Sequence, residues 1–136
     1  DKSNGTPALF NYVGHLSKDQ INEHLSQATA MLFTSTWDEP YGLTLAESLA
    51  CGTPVIGFDV GASAEIVTPA TGIIVPKVDK DAFIQAFDGI KHISRAACRL
   101  RAEQFCSVAA MVDGYLQLYE QALASNDSTK THELSF

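Results

Sequence analysis

Between Lys18 and Lys77 the sequence has no lysine or arginine at all. Together with a net charge of −7, that gap excludes the clustered cations on which general nucleic-acid or anionic-membrane binding depends. Long apolar runs are also missing: none approaches the ~20 residues of a membrane-spanning helix, and no signal peptide opens the chain. Cysteine is scarce. Cys51, Cys98 and Cys106 are odd in number and lack CxxC spacing, so they read as small core residues, and a reducing cytoplasm is the expected location. His15, His24, His92 and His132 show no ligand spacing, so no metal site is expected. No internal repeat or linker divides the chain.

What is present is enough for one ordinary globule, since 136 residues that are 46% apolar can bury a core. Its organising stretch runs from Thr34 to Pro54. Pro40 and Gly42 punctuate a loop, Leu43 to Cys51 has helix composition, Gly52 suits the residue just past a helix, and Pro54 forbids continuation. Leu45, Ala46, Leu49 and Ala50 repeat at helical spacing and are expected to face a sheet. Glu47 is then left on the flank in line with Leu43, about 5 Å behind the helix start. The free N–H groups of Gly42, Leu43 and Thr44 would make a positive terminus at the carboxyl end of a strand, a place where phosphates bind. Glu39 and Glu47 would bracket such an anion and accept hydrogen bonds from sugar hydroxyls on either side. Taken alone, two such glutamates are more often solvated surface residues.

The set of Glu39, Tyr41, Gly42, Leu43, Glu47, Ser48, Leu49, Ala50, Gly52, Pro54, Val55 and Ile56 resembles the E-x7-E signature of retaining GT-B glycosyltransferases. Flanking fragments fall in that family's order: Phe10, Tyr12, Val13 and Gly14 upstream; Gly61 to Val67, Gly72 to Pro76, Phe105 to Ser107, and Tyr115 with Tyr119 downstream. The resemblance covers roughly residues 9 to 123 and is specific as a set. It implies an α/β fold with a parallel, Rossmann-like sheet and helices on both faces, part of the C-terminal, donor-binding half of a GT-B enzyme. It implies that Glu39 is catalytic and meets the transferred sugar, and that Glu47 binds the ribose. Tyr41, Gly42, Leu43 and Thr44 would contact sugar and phosphate, Gly14, His15 and Leu16 the nucleobase, and Gly61 the donor. No metal or cofactor is implied, only a nucleotide diphosphate sugar as substrate. The acceptor, a sugar, a lipid-linked sugar or a polysaccharide, would bind through a preceding domain absent here. The family commonly has a second glycine where this chain has Ala62, and a φ above zero would be strained there. Glu65 occupies the position of the family's loop glutamate and is read as holding that loop.

In chain order, Leu9 to Val13 reads as a strand, Ser17 as the cap of a helix to about Gln27 with Ile21 and Leu25 inside, and Ala30 to Thr34 as a buried strand. Val55 to Phe58 and Gly72 to Val75 are further strands. Asp79 caps a helix to about Ile93 with Phe83, Ala86, Phe87 and Ile90 at core spacing, and Arg95 to Phe105 forms another whose Arg99 and Arg101 face water. A helix from Ser107 to Leu123 is expected to bury Val108, Met111, Val112, Tyr115, Tyr119 and Ala122. Residues 1–124 thus form a truncated nucleotide-sugar-binding domain, and 125–136 a polar, disordered tail. Two strand–helix units that begin such a domain in the family, carrying an Arg and a Lys for the diphosphate, are not in this sequence. Self-association through the surface they would cover is therefore possible. The alternatives are a binding or assembly module that keeps the fold, and a sugar-nucleotide epimerase.

Overall fold

The computed structural model describes residues 11–132, with side chains as far as residue 125. Three short strands, β1 (Met31–Phe33), β2 (Val55–Phe58) and β3 (Gly72–Val75), form one parallel sheet in the order β1-β2-β3. Leu32 is in register with Ile56, and Ile56 in turn with Ile73. All four residues of β2 are buried, as expected of the central strand of a parallel sheet covered on both faces.

Helices fill the connections. α1 (Lys18–Gln27) starts on a complete capping box: the Gln20 N–H donates to Ser17 Oγ at 3.4 Å, and the Ser17 N–H to Gln20 Oε1 at 2.9 Å. α2 (Leu43–Ala50) follows β1, the short α3 (Ser63–Ile66) follows β2, and α4 (Lys80–Ile90) follows β3 behind an Asp79 cap on the Ala82 N–H at 2.9 Å. α5 (Arg95–Phe105) and α6 (Val108–His132) complete the chain. α4 packs across β2 and β3, with Phe83 against Phe58 at 5.1 Å between ring centres, while α2 and α5 pack together and α2 against β2. Leu45, Leu49, Val55, Ile56, Ile66 and Cys98 are essentially sealed from solvent in the core between these layers.

Several expectations change. Leu9 and Phe10 lie outside the described residues, and Asn11 to Val13 is irregular chain, not a strand. Ile21 and Phe87 are exposed because neither helix is covered along its whole apolar stripe. Ala46 and Ala50 are only half-buried, and Ser48 is sealed instead, its hydroxyl donating to the Thr53 carbonyl at 3.0 Å. Leu32, on the α4 side of the sheet by its register with Ile56, is 48% exposed, since α4 stops short of β1. α6 departs most. Val108, Met111, Val112, Tyr115, Tyr119 and Ala122 are all exposed, because among the described residues nothing packs on that face, and the helix runs past Leu123 into the segment expected as a tail.

Arg99 and Arg101 do not simply face water. α5 carries three arginines that close the carboxyl ends of three other helices, where unpaired carbonyls and the negative end of the helix dipole favour a cation. Arg95 donates to the carbonyls of Ser26 (2.6 Å), Ala28 (2.7 Å) and Cys51 (3.3 Å) and to Thr53 Oγ1 (3.0 Å). Arg99 donates to the Ala50 carbonyl at 2.8 Å and pairs with Glu103 at 2.6 Å. Arg101 donates to the carbonyls of Glu65 and Ile66 and stacks 3.6 Å above the Phe105 ring. Such residues are charged in sequence but act as helix caps.

Candidate functional site

β1, β2 and β3 run parallel, so the chain leaving each strand emerges at one end of the sheet: Thr34 to Gly42, Asp59 to Ala62, and Pro76 to Asp79. The first of these leads into α2. Gly42 takes a left-handed conformation, φ +83°, and no side chain caps the helix. Among the described residues the N–H groups of Gly42, Leu43 and Thr44 have no partner, which leaves a positive helix terminus facing that end of the sheet.

The first two loops are in direct contact. The Ala62 N–H donates to the Glu39 carbonyl at 3.1 Å, and the Gly61 N–H donates to Asp38 Oδ1 at 3.3 Å. A Cβ on Gly61, whose φ is +50°, would stand 2.6 Å from Glu39 N and overlap its carbonyl oxygen, so only glycine fits. Ala62 has φ −81°, so the alanine there carries no strain and the left-handed turn falls on Gly61 alone. Glu39 is half-buried, and its Oε2 lies 3.8 Å from where a Cβ on Gly42 would be, beside the helix terminus.

Lys77 joins them from the third loop, its Nζ 3.8 Å from Asp38 Oδ1. The cation gap along the sequence therefore does not carry over to space. Asp38 did not stand out in sequence, and Lys77 did so only as the far bound of that gap.

Farther along α2, Glu47 is half-buried and, among the described residues, its carboxylate has no hydrogen-bond or ion-pair partner. It lies between two grooves. One, of about 340 Å³ between α2 and α5, is lined by Tyr41, Leu43, Ala46, Arg99 and Cys106; the other, of about 670 Å³ toward α1, by Lys18, Asn22 and Cys51. Burial, with the Cys106 thiol beside it, pushes the Tyr41 phenol above its ordinary range against the pull of the Arg101 charge, so the hydroxyl stays protonated and can donate. The structure thus brings Glu39, Gly42 and Gly61 together, and Tyr41, Leu43 and Glu47 along one groove. Thr44 is exposed at the helix start. Gly14, His15 and Leu16 lie on irregular chain ahead of α1 and make no hydrogen bond among the described residues.

The sequence pattern described as Glycosyl transferases group 1 matches residues 2–104 of this chain, more than half its length. The chain belongs to that family. A sucrose-phosphate synthase from Thermosynechococcus elongatus is similar in structure, with a TM-score of 0.69 and 30% identity over 85% of this chain and 30% of that protein. An uncharacterized 41.2 kDa protein in the cps region of Klebsiella pneumoniae is 25% identical over 114 residues, 80% of this chain and 32% of that one. This group 1 chain therefore spans about a third of the length of either relative. Its Rossmann-like α/β fold, similar to GT-B glycosyltransferases, is the one the resemblance implied. Among the described residues no helix is long and apolar enough to cross a membrane.

Proposed function

We propose that this chain forms the donor-binding part of a retaining glycosyltransferase that moves a hexose from a nucleotide diphosphate sugar to an acceptor. The observation that carries the reading is Glu47: a half-buried carboxylate without a partner among the described residues, on a groove one turn behind an uncapped helix terminus, inside a group 1 match. A carboxylate in that state is an acceptor waiting for donors, and a ribose offers two hydroxyls. The likeness to a sucrose-phosphate synthase supports a hexose as the transferred group.

In this reading the diphosphate sits at the N–H groups of Gly42, Leu43 and Thr44. Glu39 meets the transferred sugar, with backbone contacts from Tyr41, and Gly61 allows close approach. Gly14, His15 and Leu16 border the base. No metal is required: charge developing on the diphosphate is balanced by the helix terminus, worth about half an elementary charge, and by cations from outside this chain. The acceptor is held by a further domain, and three cysteines without a disulfide suit a reducing cytoplasm.

Saturation-transfer NMR with UDP-, GDP- and ADP-glucose tests the reading. Binding of at least one, weakened by Glu47→Gln, is the expected result. If the protein at its natural length binds none of them, it is a module that has kept only the fold.

A further inference from the structure

We propose that Asp38 is a positioning residue for Glu39, through a clasp that joins the three loops at the carboxyl end of the sheet; the inference rests on the donor-site reading above. Each strand contributes one part. Asp38 comes from the loop after β1, the Gly61 N–H from the loop after β2 and Lys77 from the turn after β3. Asp38 Oδ1 receives both, at 3.3 Å from the Gly61 nitrogen and 3.8 Å from the Lys77 ammonium.

The need for a clasp follows from the loop itself. Between Phe33 and Gly42 the chain, among the described residues, has no ladder or helix bonds, and its own contacts are local: the Trp37 N–H to Ser35 Oγ at 3.2 Å and the Glu39 N–H to the Trp37 carbonyl at 3.0 Å. Only two hydrogen bonds tie it to the next loop, the Ala62 N–H to the Glu39 carbonyl and the Gly61 N–H to Asp38. One fixes the Glu39 backbone from behind. The other fixes the residue before it, so together they set the direction in which the Glu39 side chain leaves the chain.

Lys77 offsets the charge of Asp38. A bare Asp38 carboxylate next to a diphosphate site would repel the donor, whereas an Asp38–Lys77 pair does not. The turn that presents Lys77 is strained. Val78, β-branched and 53% exposed, has φ +63°, a conformation such residues avoid and one that tends to persist where the surroundings dictate it.

The side chain of Asp38 is 74% exposed, so its variants are expected to fold. In the protein at its natural length, Asp38→Ala should lower the turnover of sugar transfer at least about tenfold, as displaced catalytic groups do, while affinity for the free nucleotide stays within about twofold. Asp38→Asn keeps an oxygen for the Gly61 N–H and should recover turnover to within about threefold of wild type. With glycine-selective 15N labelling, the Gly61 amide resonance should move in Asp38→Ala and hold in Asp38→Asn. Undiminished transfer by Asp38→Ala, an Asn variant as impaired as the Ala variant, or nucleotide affinity falling in step with turnover each overturns the proposal. A wild-type protein that transfers no sugar overturns the donor-site reading instead, and the positioning role with it.

Discussion

Gly61 and Glu39 lie backbone to backbone, closer than any side chain on residue 61 would allow. Two loops that leave neighbouring strands are thereby fused into one surface, and the residue proposed to meet the transferred sugar is held by the main chain of the other loop.

Gly61→Ala should separate those loops. The added methyl group meets main-chain atoms that cannot rotate aside, and the φ of +50° disfavours it independently, so a stability loss of about 2 kcal/mol is expected. Thermal melting measures it, and faster proteolysis between Thr34 and Gly42 would place the damage in the loop. An unshifted melting point would show that the loops are not in contact in solution.

The two glutamates should separate in kinetics. Glu47→Gln is expected to weaken nucleotide binding by about 1.5–3 kcal/mol, the worth of hydrogen bonds to a charged acceptor, without lowering stability, because the carboxylate has no partner to lose among the described residues. Glu39→Ala should cut sugar transfer while nucleotide affinity by calorimetry survives. Equal losses of both quantities in Glu39→Ala would make that residue a loop support.

Arg95→Ala should destabilise without touching the donor site. Its guanidinium satisfies carbonyls at the ends of α1 and α2, at the end of the sheet away from Glu39, so a loss of about 1.5–3 kcal/mol in urea is expected with donor binding intact. Arg95→Lys should recover little, since a point charge cannot span those acceptors.

Cys98 carries a pH signature. Burial pushes its thiol above the ordinary range, more than the nearby Arg95 charge pulls it down. The protonated form is thus favoured by folding: its contribution is complete below the unfolded value of about 8.5 and is lost as pH rises through the higher folded value. The stability difference between wild type and Cys98→Ala should narrow from pH 8 to 10. At pH 8 iodoacetamide should modify Cys51 and Cys106 and spare Cys98, which is sealed and donates to the Thr71 carbonyl; native-state labelling of Cys98 would contradict its burial.

The 136-residue chain by itself should self-associate. Leu32 and the α6 residues Met111, Tyr115, Leu118 and Tyr119 form uncovered apolar surface, and the outer edge of β1 has no neighbour among the described residues. Sedimentation should show concentration-dependent assembly, reduced by Tyr115→Ser with Tyr119→Ser. A monomer at 100 times the concentration used for melting, roughly millimolar, would refute this.

Local chemistry was legible in the sequence wherever one short stretch determines it. β2 and α5 have the bounds expected, and the Ser17 and Asp79 caps and the Gly52 turn follow from side chains and φ preferences within a few residues. The motif around Glu39 and Glu47 was equally visible, because a helix start and a carboxylate one turn behind it are fixed by spacing. What partners lie across the fold was not. Periodicity gave α6 an apolar face but not a surface to cover it, and the same holds for Ile21 and Phe87. The arginines of α5 became helix caps, and Lys77 reached Asp38, only because a parallel sheet brings strand ends far apart in sequence to one side. Composition records that a charge exists, whereas the charge it will meet is decided by which strand lies next to which.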